Sequence, residues 1–138
     1  MLTILPTQNI MSMSQKIILL IESDTVLIEI IQLIFQEYSY QIKVEQFSAD
    51  IINKVNFIKP DIILIDSHVS GKHLTITTHL LKQHRCFYKI PIIIMSTDLQ
   101  VEKLAVAAGA DDFLTKPFNI FEFEDKVLKY LNQHDLSF

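Results

Sequence analysis

Glycine is scarce in this chain: among 138 residues only Gly71 and Gly109 are glycine. A phosphate-cradling loop needs glycines where backbone amides close on the anion, so no Gly-rich nucleotide loop can be built here. No Ser/Thr/Gly-rich loop follows the first apolar run either, which excludes a flavin phosphate site. Cysteine is rarer still. Cys86 stands alone, so there is no intrachain disulfide and no cysteine-based zinc site, and a reducing cytoplasmic compartment is expected. Basic residues are outnumbered, 12 Lys and Arg against 16 Asp and Glu, so no positive field exists to hold nucleic acid or an anionic membrane. No apolar run reaches the length of a membrane span. The uncharged opening "MLTILPTQNIMSMSQ" lacks the positive start and longer apolar core of a secretion signal; it reads as a loose tail, with Met11 and Met13 as later possible starts.

What the chain does have is aliphatic residues in short blocks. Its hydrophobic fraction of 49% and its length suit one well-buried domain. Five apolar runs recur: "KIILLI" (16–21), "QIKVEQF" (41–47), "DIILI" (61–65), "IPIIIM" (90–95) and "DFLT" (112–115). Three are nearly unbroken Ile and Leu, as in strands covered on both faces. Segments with helical spacing lie between them. In 25–38, Leu27, Ile30, Ile31, Ile34 and Tyr38 share one side. Segment 48–58 has Ser48 as expected N-cap, with Ile51, Ile52, Val55 and Ile58 inward. Segment 72–84 is weaker because of its threonines. Segment 99–110 should end at Gly109, and 119–131 should start from Asn119 and stack Phe123, Val127, Tyr130 and Leu131. The order βαβαβαβαβα predicts a parallel sheet with helices on both faces, an α/β doubly wound five-stranded architecture. In such sheets, sites form beyond the carboxyl ends of the strands.

Glu22, Ser23 and Asp24 follow the first run, Asp66 the third, Ser96 and Thr97 the fourth, and Lys116-Pro117 the fifth. Each alone is commonplace, since Asp and Ser after strands usually cap helices or turns. Together they bring two acids, a hydroxyl and a lysine to one sheet edge. "PDIILID", "IPIIIMST" and above all "AAGADDFLTKPF" (107–118) resemble the receiver domain of two-component response regulators, over roughly residues 16–132. The resemblance implies a flavodoxin-like, CheY-like (βα)5 fold. It makes Asp66 the phosphoacceptor, Lys116 the grip on a phosphoryl oxygen and Ser96 a hydrogen-bond partner of another. Phe113 becomes the aromatic that turns inward as Ser96 moves, and Lys116-Pro117 a cis bond. Mg²⁺ is implied as cofactor, held by Glu22, Asp66 and the backbone carbonyl of His68. An aspartate attacking phosphorus forms an acyl phosphate, and the cation and lysine supply the counter-charge.

Where the family usually has two adjacent acids after its first strand, this chain has Glu22 and Ser23. Asp24 is expected to cap the helix opening at Thr25, so Mg²⁺ binding should be weakened and phosphorylation slow. Ser70 stands where Pro is common and His73-Leu74 where Asp-Gly is common. The stretch from Ser96 to Gly109 is about two residues short by comparison with the family, which shortens the fourth helix or the loop before it.

The expected organisation is a flexible tail (1–15), a receiver domain (16–133) and a second tail (134–138). The expected function is that of a stand-alone response regulator, not an enzyme beyond weak autophosphatase activity. Its donor would be a histidine kinase or phosphotransfer protein, and its output a protein partner on the face of the fourth helix, fifth strand and fifth helix, with room for a homodimer. A second reading keeps the fold as a phosphorylation-independent binding module. A remote third matches "LLIESDTVL" (19–27), Ser96, Lys116 and Asp111-Asp112 to haloacid-dehalogenase phosphatases, but puts Glu22 where that family has its nucleophilic Asp. His68, His73, His79 and His84 lack the i,i+4 spacing of a helical zinc site and should be solvated. Cys86 is expected to pack.

Overall fold

A computed structural model describes residues 15–70 and 73–132. The expected tails, Gln15 aside, lie outside the described residues, as does residue 133 of the expected domain. Five parallel strands form one sheet: β1 (Lys16–Ile21), β2 (Tyr40–Glu45), β3 (Ile62–Asp66), β4 (Ile92–Ser96) and β5 (Asp112–Thr115), in the order β2-β1-β3-β4-β5. Five main helices connect and follow them: α1 (Thr25–Ile34), α2 (Ile51–Ile58), α3 (His73–Gln83), α4 (Val101–Ala108) and α5 (Ile120–Leu131). A single helical turn, Ser67–Ser70, follows β3. This is the doubly wound architecture that the alternation predicts.

The period of two in the central strands divides the core. Leu19 and Ile21, Ile63 and Ile65, and Ile92 and Ile94 meet Ile51 and Val55 of α2, Leu74 and Leu81 of α3, and Val101 and Ala105 of α4. Their neighbours Ile18 and Leu20, Ile62 and Leu64, and Ile93 and Met95 face Ile31 of α1 and Phe123, Val127 and Leu131 of α5. Both faces of β1, β3 and β4 are thus covered, which is why those runs are almost all aliphatic.

Local signals place most boundaries. Asp24 caps α1 by accepting from the amides of Val26 and Leu27, and Asn119 caps α5 in the same way at Phe121 and Glu122. Gly109 ends α4 at φ 79°, a left-handed conformation that a side chain would strain. Three expectations need correction. Helix α1 stops at Ile34, and the chain then tightens into bonds from Gln36 to Leu33 and from Tyr38 to Phe35, so Phe35 is buried and Tyr38 stacks on Tyr40 instead of extending the helix. Ser48 is not the N-cap of α2: its hydroxyl accepts from the Asp50 amide in a turn ahead of Ile51, and Asp50 takes the cap position. Cys86 is exposed, with its neighbour Phe87 in the core, so it is not a packing residue.

One polar atom in α3 is anomalous. The Thr78 hydroxyl is buried without a hydrogen-bond partner among the described residues. Valine has nearly the same shape and no hydroxyl to desolvate, so Thr78→Val should raise stability by about 1 kcal/mol. A rise in the urea midpoint is the expected reading; a fall would mean that the hydroxyl is bonded after all.

Candidate functional site

The register of the sheet assembles the site. Strands β1 and β3 run in step to Ile21↔Ile65, so the next residues, Glu22 and Asp66, stand side by side. Both follow the alternation of Ile18, Leu20, Ile62 and Leu64, and therefore lie on the face covered by α1 and α5. Both are buried, at 3% and 4% exposure. On the other side of β3, Ser96 closes β4, pairs with Thr115, and accepts the Lys116 amide on its carbonyl at 2.7 Å. The next peptide, Lys116-Pro117, is cis.

Lys116 bridges the two acids. Its ammonium lies 2.6 Å from Glu22 Oε1 and 3.0 Å from Asp66 Oδ1. Burial pushes the lysine pKa down, but its bonds to Glu22 and Asp66 outweigh this and hold it above its ordinary value, so the ammonium stays charged at neutral pH. The other Glu22 oxygen accepts from the amides of Ser23 and Asp24 at 3.0 and 3.3 Å. Glu22 is pinned from both sides. Ser23 is exposed, and Asp24 is turned away to cap α1. Among the described residues no group of three or more His, Cys, Asp or Glu side chains could hold a metal ion.

Of the residues expected at the site, Lys116 contacts both Glu22 and Asp66. Glu22, Ser23 and His68 also line a cavity of about 400 Å³ with Gln46 and Phe47. Asp66 lies outside its lining. Glu22 on that wall, with Asp66 beside it in the β1–β3 register, is a donor set of the kind Mg²⁺ takes, one or two carboxylates with the rest of its shell as water. The four histidines of the middle of the chain are exposed, as expected.

Phe113 is half-buried on β5 opposite Ile94, two residues before the Ser96–Thr115 pair and on the same face as Ser96. A residue that sequence reasoning missed sits on it. Lys126 of α5 donates to the Phe113 carbonyl at 2.8 Å and to Asp112 Oδ1 at 3.1 Å, with its ammonium 5.3 Å from the ring centroid. Tyr130 donates to the other Asp112 oxygen; burial and that carboxylate push its pKa up to about 12. Burial also pushes the Asp112 carboxyl up, but the Phe113 amide, Lys126 and Tyr130 outweigh it and hold it below its ordinary 3.8. A depressed carboxylate contributes stability that is present above the unfolded value and lost as pH falls through the folded one. Asp112→Asn should therefore lie below the parent in urea midpoint at pH 7, with the gap closing below pH 4. A gap that persists to pH 3 would assign it to packing.

Asp112 opens β5 and Asp111 precedes it, at the sheet edge opposite to Lys116. Asp111 accepts from Lys82 and from the Ile92 amide, both at 2.8 Å. They cannot serve a phosphatase site built on Glu22, and that reading falls.

The sequence model of the response regulator receiver domain matches residues 18–128. The chain belongs to the response regulator receiver family. Solved structures share the receiver's fold. The signal receiver domain of a signal transduction histidine kinase from Syntrophus aciditrophicus is 22% identical with a TM-score of 0.76, over 89% of this chain and 95% of that one. A CheY-like receiver domain protein from Methanospirillum hungatei is 19% identical with a TM-score of 0.74, over 88% and 98%. The receiver domain of a sensor histidine kinase from Pseudomonas aeruginosa is 22% identical with a TM-score of 0.67, over 87% and 100%; that structure carries a magnesium ion in its active site cleft. Among the described residues of this receiver, no helix is long and apolar enough to cross a membrane.

Proposed function

We propose that this receiver accepts a phosphoryl group on Asp66 from a histidine kinase or phosphotransfer protein and passes the signal on through protein contacts. The observation that carries the reading is the half-buried Lys116 ammonium held between Asp66 and Glu22 at the strand ends. An Asp66 carboxylate oxygen attacks phosphorus, the bond from phosphorus to the donor breaks, and an acyl phosphate remains. Lys116, already 3.0 Å from that carboxylate, stabilises the charge that arrives with the phosphoryl group. Ser96 offers its hydroxyl to a phosphoryl oxygen, and Phe113, on the same face, follows it inward. Mg²⁺, held by Glu22, Asp66 and the main-chain carbonyl of His68, would neutralise further negative charge at the site.

The receiver is not itself an enzyme in this reading, beyond slow loss of its own phosphoryl group. Exposed apolar side chains just before and on α4 and at the start of α5 support an output surface along α4, β5 and α5. Leu99 is 89%, Val106 75% and Phe121 72% exposed. A cytoplasmic setting follows from the donor class. The absence of an acid at position 23 favours a second reading, in which the fold serves as a phosphorylation-independent binding module.

Intact mass after incubation with a small-molecule phosphodonor and Mg²⁺ separates the two. The parent should gain one phosphoryl group and Asp66→Asn none. No gain at any Mg²⁺ concentration would leave the binding-module reading.

A further inference from the structure

Ser67, which follows Asp66 directly, bonds the hydroxyl expected to sense the phosphoryl group. Its Oγ donates to Ser96 Oγ at 2.6 Å, and the Asp98 amide donates to the same Ser96 oxygen at 3.0 Å. A serine hydroxyl has two lone pairs and one proton, so both Ser96 lone pairs are engaged. Ser96 is 2% exposed, so water cannot readily replace Ser67 there. The Ser96 backbone is fixed as well, by its pairing with Thr115 and by the Lys116 amide on its carbonyl. What can change is the direction of the side chain. Of the two bonds that hold it, the one from Asp98 is local, two residues along the same loop. The other ties it, across 29 positions of sequence, to the neighbour of Asp66.

We propose that the Ser67–Ser96 hydroxyl pair is a latch that holds Ser96 in its resting direction and regulates how readily the site changes state. The inference rests on the reading of Asp66 as phosphoacceptor and Ser96 as its responding hydroxyl. Phosphorylation has to draw Ser96 away from Ser67, and the shielded bond opposes that movement. Removing the Ser67 hydroxyl shifts the resting population toward the conformer in which Ser96 is available to the incoming group. Loss of one ordinary hydrogen bond corresponds to a shift of about three- to tenfold.

The test compares the parent with Ser67→Ala, Ser67→Thr, Ser96→Ala and the Ser67→Ala/Ser96→Ala double variant. Phosphorylation by a small-molecule phosphodonor at fixed Mg²⁺ is followed by intact mass. Unfolding equilibria of the same proteins give the coupling between the two hydroxyls independently of phosphorylation. The latch predicts phosphorylation about three- to tenfold faster in Ser67→Ala and a parent-like rate in Ser67→Thr. It also predicts no effect of Ser67→Ala once Ser96 is alanine, and a coupling of about threefold or more in the unfolding constants. A parent phosphorylated at least as fast as Ser67→Ala overturns the latch and leaves Asp66 as acceptor. So does an equal gain in the Ser96→Ala background, which would mean that Ser67 acts elsewhere, and so does an absence of coupling. If neither the parent nor Ser67→Ala takes up a phosphoryl group, the acceptor reading fails and the latch fails with it.

Discussion

Lys116→Met is expected to destabilise the fold by about 3 kcal/mol at neutral pH and to abolish phosphoryl acceptance, the larger of the two effects being the functional one. The reason lies in charge count. Glu22 and Asp66 are brought side by side by the β1–β3 register, and their side chains are only 1% and 6% exposed. Lys116, itself 16% exposed, is the cation that touches both. Methionine keeps the length of the side chain and removes the charge that lies between two buried carboxylates. The parent's own sensitivity lies at high pH. The lysine pKa is raised in the fold, so its contribution is full below its ordinary 10.5 and is lost as pH rises through the folded value. Urea unfolding of both proteins at pH 7, 9 and 11 makes the comparison, with the deficit expected to shrink only at the highest pH. A deficit below about 1 kcal/mol that ignores pH would mean that solvent, not Lys116, neutralises the acids.

Why the site was legible follows from the same register. In a parallel sheet the strand ends share one edge, so the residue that stops each apolar run is a candidate by position alone. Asp66 after "IILI" and Glu22 after "IILLI" needed only the strand order to become neighbours. The caps at Asp24, Gly109 and Asn119 were legible because each rests on a local bond or a local φ. What stayed hidden depends on contacts distant in sequence. The end of α1 at Ile34 is decided by Phe35 entering the core and by Tyr38 stacking on Tyr40, neither of which a helical period encodes. Lys126 reads as an ordinary surface lysine of an amphipathic helix until β5 is placed under it. Ser67 was in view, next to Asp66 in "IDSH", but its partner is a strand away. A hydroxyl residue directly after a strand-end acid was the signal to follow.

Ser23→Asp should tighten Mg²⁺ about tenfold or more and restore brisk phosphorylation at limiting metal. Ser23 shares the wall of the 400 Å³ cavity with Glu22 and His68 and is exposed there, so a carboxylate can enter without displacing core. As the site stands, two acids face one lysine, a net charge of about −1 for a dication whose affinity follows the number of charged oxygens. A third acid raises that count and has an opposite effect in the absence of metal, where it adds repulsion beside Glu22. Ser23→Asp is therefore expected to be less stable than the parent without Mg²⁺ and to gain more on its addition, because a ligand bound only by the folded state stabilises it by RT ln(1 + [L]/Kd). Calorimetric titration with Mg²⁺ gives the affinity, and thermal unfolding with and without the ion gives the crossover. Ser23→Asn adds an oxygen of similar reach without charge and is the control. Should it tighten Mg²⁺ as much as Ser23→Asp does, the missing charge is not what weakens the site; should neither variant bind more tightly, the ion is held away from position 23 and the slow phosphorylation expected of this receiver must have another cause.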